Sequence, residues 1–151
     1  MCERITAVDT SPEALAINRA RHGTTRVDYV EANLFEYGPA TRYDLVFAGF
    51  WLSHIPRRRF ASFWSMLADA LTPEGRVVMV DDGIRDARGA ANFADDPTGR
   101  DEKRRLPDGR AFTIVKNAYA PAELEALLAD LGWTAEVVPL TRVVYVVVAH
   151  R

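Results

Sequence analysis

The first feature that limits the fold is a strand followed at once by a helix start. Ile5-Thr6-Ala7-Val8-Asp9 reads as a buried strand ending in an acid, and Thr10-Ser11-Pro12-Glu13 opens a helix directly behind it. Strand-like and helix-like segments then alternate along the chain, which argues for a parallel sheet covered by helices. Pro12–His22 is expected to be helical, with either Thr10 or Ser11 as its cap: Thr10 with Glu13 makes a capping box, whereas Ser11 puts Pro12 at the first helical position. Val27–Glu31 is a short strand, Leu34–Arg42 a loop broken by Gly38-Pro39, and Tyr43–Ala48 a buried strand. In Arg57–Leu71 the residues Phe60, Phe63, Trp64, Leu67 and Leu71 fall on one helical stripe. Thr72-Pro73-Glu74-Gly75 is expected to end that helix, and Arg76–Asp82 to form the next strand.

Beyond Asp82 the alternation lapses. Gly83 to Arg105 is polar and mixed in charge, and is read as a long loop or lid. Leu106-Pro107-Asp108-Gly109-Arg110 is a turn signal between two extended arms, so a small hairpin is expected there. Pro121–Leu131 is a helix with Leu124, Leu127, Leu128 and Leu131 on one face, stopped by Gly132. Ala135–Val138 and Arg142–Ala149 are strands joined by too short a link for a parallel crossover, so they must pair antiparallel.

At 151 residues a single domain, 1–151, with one core is expected. The net charge of -2 gives no electrostatic case for nucleic acid or an anionic membrane. The longest apolar run, Val143 to Ala149, is far too short for a bilayer span. The lone cysteine, Cys2, excludes an intrachain disulfide and fits a reducing cytoplasm. The basic residues are almost all arginine, with lysine only at 103 and 116.

In order, the strings AVDTSPEAL (Ala7–Leu15), VEANLFEY (Val30–Tyr37), YDLVFAGFWLSHIP (Tyr43–Pro56) and LADALTPEGRVVMVDD (Leu67–Asp82) resemble the second to fifth strands of class I S-adenosylmethionine-dependent methyltransferases and the segments around them. The resemblance covers nearly the whole chain. It implies a Rossmann-like, doubly wound α/β fold with a mainly parallel sheet and a C-terminal antiparallel hairpin. It also implies S-adenosylmethionine as cofactor and a small-molecule methyl acceptor. The family's first strand and its Gly-x-Gly-x-Gly loop have no counterpart, since four residues precede Ile5. The chain is therefore expected either to be truncated at its N-terminus or to have closed the gap that the first strand would fill. In the family that first strand lies between the second and fourth, so either an open cleft or direct pairing of Ile5–Asp9 with Tyr43–Ala48 is expected.

Residue by residue, the resemblance assigns Asp9 to the cofactor's ribose hydroxyls; the plainer reading is an acid set against a helix N-terminus. Asn33, Leu34 and Phe35 become the adenine loop, against an Asx-turn. Asn33 stands where the family often has an acid. Ala48, Gly49 and Phe50 line the cofactor at a strand end, against simple strand-to-helix packing. His54 is the candidate general base, against a partly buried capping histidine, and Trp51 is either a pocket wall or core. Asp81 and Asp82 are candidates for a substrate amine, and no metal-ligand spacing supports a metal. Lys103-Arg104-Arg105 with Arg110 suits an anion or plain solvation, and His22, His150 and Cys2 lack a constellation. Two other functions fit the residues less well. One is an inactive methyltransferase-fold binding or assembly protein. The other is an NAD-type oxidoreductase, which would share the ribose-binding acid but lacks Gly-x-Gly-x-x-Gly. Acceptor identity and oligomeric state are not encoded in any motif.

Overall fold

A computed structural model describes residues 2–82, 100–141 and 143–151. These group into two compact units, Met1–Ala40 and Thr41–Arg151. The first holds β1 (Ile5–Asp9), α1 (Pro12–His22) and β2 (Val27–Glu31). β1 and β2 are parallel and in register from Ile5–Val27 to Asp9–Glu31. Ser11 is the helix cap: its hydroxyl accepts from the Ala14 N–H at 3.1 Å and Pro12 takes the first turn. The Thr10–Glu13 capping box is not formed; the Glu13 carboxylate accepts from the Ser11 hydroxyl instead, at 3.0 Å.

The second unit holds β3 (Tyr43–Gly49), α2 (Phe60–Ala70), β4 (Leu71–Asp82), β5 (Arg100–Arg105), β6 (Ala111–Lys116), α3 (Pro121–Asp130), β7 (Thr134–Pro139) and β8 (Val144–His150). Two 3-10 turns, Leu52–His54 and Arg57–Arg59, link β3 to α2. Its main sheet has the order β3-β4-β8-β7. β3 and β4 are parallel, while β4–β8 and β7–β8 are antiparallel, as the short β7–β8 link requires. The pairing is thus mixed within one α/β architecture. Within the first unit β1 bonds to β2, and within the second β3 bonds to β4.

The buried face of this sheet is built from alternate residues, Val77, Met79 and Asp81 of β4 opposite Ala149, Val147 and Tyr145 of β8. The α2 stripe lies in the same core. Phe60, Phe63, Trp64 and Leu67 are all buried, with Trp64 edge-on to Trp133 at 5.0 Å and Phe60 5.7 Å from Tyr119. Leu124 and Leu128 of α3 complete it.

Four expectations need correction. β1 and β3 form as strands, but neither is buried: every residue of Ile5–Asp9 and Tyr43–Gly49 is half-buried or exposed, because β3 is the edge strand of its sheet and β1 belongs to a two-stranded sheet in a unit with one described helix. Leu71 is buried as expected, but it starts β4 instead of ending the helix. The Thr72–Gly75 turn is a bulge within that strand, because Leu71 already pairs with Tyr43 before the ladder resumes at Leu45–Arg76. A Cβ on Gly75 would lie 2.9 Å from the Tyr43 carbonyl oxygen, so close backbone approach explains the glycine. Arg100–Arg105 is a strand, not loop, because Ala111–Lys116 pairs with it across the expected turn. The rest of the expected lid, residues 83–99, and Arg142 lie outside the described residues.

Candidate functional site

In the first unit, Asp9 sits at the C-terminal end of β1 and is exposed. Its Oδ1 accepts from the Ser11 N–H at 2.8 Å, which orients the carboxylate on the turn into α1. The loop after β2 contains Asn33, whose Oδ1 accepts from the Phe35 N–H at 3.2 Å, the Asx-turn reading of this segment. Its amide donates to Glu36 at 3.1 Å, while Leu34 and Phe35 are half-buried.

In the second unit, Ala48 and Gly49 end β3. A Cβ on Gly49 would meet only the Phe47 ring, at 3.9 Å, so the unit itself does not require glycine there. Phe50 has φ +53° and is 52% exposed, an uncommon backbone for a bulky side chain, and its N–H donates to the Val80 carbonyl at 2.7 Å. A strained residue at the C-terminal end of a parallel strand is where α/β folds place ligand contacts.

The next residues form a polar cluster. His54 is exposed, and its Nδ1 lies 2.8 Å from the Val115 carbonyl oxygen. A carbonyl only accepts, so Nδ1 carries the proton and Nε2 of the neutral ring keeps its lone pair. Beneath His54, Ser53 is fully buried. Its N–H donates to Asp81 Oδ2 at 3.1 Å and its Oγ accepts from Lys116 Nζ at 2.7 Å. Lys116 also pairs with Asp82 at 2.8 Å. Asp81 and Asp82 are therefore engaged inside the fold, the first by Ser53 and the second by Lys116. Among the described residues no cluster could hold a metal.

Asp81 lies directly across the ladder from Tyr145. The hydroxyls of Tyr145 and Tyr119 are buried and have no hydrogen-bond partner among the described residues. Burial, chiefly, pushes the Tyr119 hydroxyl up to about 12, and burial together with the Asp81 charge pushes Tyr145 higher still. Both phenols stay protonated at neutral pH. Arg57 covers the Tyr119 ring at 4.8 Å and pairs with Glu123 at 2.9 Å. Trp51 packs at 5.5 Å from Phe63 and is half-buried. Arg110 pairs with Asp108 within the hairpin tip at 2.7 Å. Ser53, Lys116, Asn117, Tyr119 and Tyr145 were not singled out in the sequence. One signal was present: Lys116, one of two lysines, closes a strand segment whose other polar residue is Thr113.

Residues 2–77 match the family model described as a methyltransferase domain. The chain belongs to this family. A structure of DhpI with SAM and HEP is 34% identical, with a TM-score of 0.88 over 99% of this chain and 69% of that one. A DhpI–SAH complex, also 34% identical, gives 0.81 over 98% of this chain and 66% of that one. This methyltransferase-family chain thus spans about two thirds of the DhpI length. An S-adenosylmethionine-dependent methyltransferase from Mesorhizobium loti, 17% identical, shares the fold with a TM-score of 0.70 over 99% of this chain and 81% of that one. No curated protein matches. Among the described residues, no helix is long and apolar enough to cross a membrane.

Proposed function

We propose that this chain takes part in methyl transfer from S-adenosylmethionine to a small-molecule acceptor whose attacking atom carries a proton. The observation that carries the reading is the 34% identity, over almost the whole chain, to a protein solved with that cofactor. The cofactor supplies the methyl group on a sulfonium. Asp9 would accept from ribose hydroxyls through the carboxylate oxygen not engaged by Ser11. The Asn33–Phe35 loop would meet the adenine. Ala48, Gly49 and Phe50 fit a ligand approaching the backbone, because Gly49 has no side chain and Phe50 already holds a strained conformation.

His54 would receive the acceptor's proton. An exposed ring whose Nδ1–H is fixed on a carbonyl presents Nε2 outward as a base. The acceptor class therefore includes hydroxyls and protonated amines. DhpI complexes and the 1,6-didemethyltoxoflavin N1-methyltransferase of Burkholderia thailandensis, solved with its small-molecule substrate, support a small acceptor.

Two substitutions test this. Asp9→Ala should weaken S-adenosylmethionine binding about 10- to 100-fold in calorimetry, the scale of charge-assisted hydrogen bonds. Unchanged affinity would show the ribose assignment to be wrong. His54→Asn, whose amide can still donate to Val115, should leave cofactor affinity intact and lower kcat roughly 100-fold or more.

A further inference from the structure

The 3-10 turn carrying His54 is gripped residue by residue by the end of the β5–β6 hairpin. Asn117 donates from its backbone N–H to the Ser53 carbonyl at 2.7 Å. The Val115 carbonyl takes the His54 ring at 2.8 Å. The Asn117 side-chain amide donates to the Ile55 carbonyl at 2.6 Å. Residues 53, 54 and 55 are thus each bonded to residues 115–117. Lys116 crosses this grip: its ammonium bonds Ser53 Oγ at 2.7 Å and Asp82 at 2.8 Å. Ser53 is itself fixed to β4 through Asp81.

Lys116 is only 8% exposed. Burying an ammonium is costly, and a buried ion pair seldom stabilises a fold more than apolar side chains of similar volume would. An apolar residue could fill the space, but it would hold neither the Ser53 hydroxyl nor the Asp82 carboxylate. The gain from lysine is direction, because two short bonds lock the hairpin, the 3-10 turn and the end of β4 into one register.

We propose that Lys116 is a positioning residue for His54. Through Ser53 and Asp82 it holds the hairpin end against the turn, so that the Val115 carbonyl meets the imidazole and Nε2 is left open for the acceptor's proton. The assignment rests on the reading of His54 as the base. Lys116 touches neither cofactor nor acceptor in this role, and its effect is carried by the ring's tautomer.

The test is nitrogen-15 NMR of the histidine rings in alkaline solution, where the imidazole is neutral, on the full chain. His54 in the wild type should be the Nδ1–H form. In Lys116→Met the ratio of Nδ1–H to Nε2–H should fall about tenfold, the scale of one hydrogen bond. Lys116→Arg, which can still donate to both partners, should recover most of that ratio. His22 and His150 serve as internal references and should not change. Ser53→Ala removes one anchor of Lys116 with little change in volume, should move the ratio the same way, and decides the matter alone if Lys116→Met does not fold. A ratio unchanged in Ser53→Ala, or a wild-type His54 already in the Nε2–H form, overturns the proposal. S-adenosylmethionine affinity measured on the same samples separates the two readings. Failure of the wild type to bind sinks the functional assignment, while the tautomer ratio still decides the role of Lys116.

Discussion

Phe50 bears a conformation that a side chain enters at a cost of about 1 kcal/mol. Phe50→Gly should therefore leave stability unchanged or raise it by up to about 1 kcal/mol, and Phe50→Val should lower it by about 1–2 kcal/mol, both read by urea denaturation. Gly75 is the opposite case. With the Tyr43 carbonyl 2.9 Å from its missing Cβ, Gly75→Ala should cost about 1–3 kcal/mol. The sequence reads Pro73-Glu74-Gly75 as a helix stop, because proline and glycine are local signals. The bulge that they form depends on a strand thirty residues earlier, and nothing local reports it. Tyr119 and Tyr145 share that limit, since tyrosine in an apolar stretch does not reveal whether its hydroxyl finds a partner. In the folded chain both phenols hold their protons above the usual range, so the folded state binds more protons than the unfolded one as pH rises past 10. Stability should therefore be intact below pH 10 and fall from pH 10 upward, through about 12 for Tyr119 and beyond for Tyr145, with two of the five tyrosines lagging in the ultraviolet titration of the native chain.

At the scale of elements, local periodicity carried the most information where one face is buried. The α2 stripe was legible because Phe60, Phe63, Trp64 and Leu67 repeat with the helical period and all reach the core. The bounds of β1 were legible from its apolar run and the helix start behind it, although the strand holds no buried residue, and the β5–β6 turn from Pro107-Asp108-Gly109. The cap of α1 was legible only as a choice between two residues. Ser11 takes it, so Ser11→Ala should cost about 1 kcal/mol of stability, whereas Thr10→Ala should cost little. The grip on His54 was not legible, because residues 53–55 and 115–117 are some sixty positions apart and three of the bonds end on backbone carbonyls that any residue could supply. The candidate base could be named from its place after β3, but its tautomer could not.

For the whole molecule, the two units are unequal in what holds them. Leu15 is the buried apolar side chain described in the first unit, whereas the second buries Trp64, Phe63, Leu124, Leu128 and the β4–β8 face. At about 25 cal/mol per Å² of apolar surface removed from water, most of the hydrophobic stabilisation belongs to the second unit. Hydrogen exchange should show it: amides of β1, α1 and β2 should exchange through low-energy openings, and those of β4 and β8 only near global unfolding. Uniform protection across both units would contradict this.

The position of β3 at the rim of its sheet governs how the protein is handled. Its ladder is satisfied on one side by β4, and among the described residues no strand takes the other. Leu45 is 56% and Phe47 65% exposed on the same strand. Natural edge strands usually carry charge or proline against such sticking, and here Asp44 stands at one end only. A single Phe47→Lys exchange should slow the loss of clear solution on concentrating, as light scattering would record, while leaving the interior of the second unit untouched.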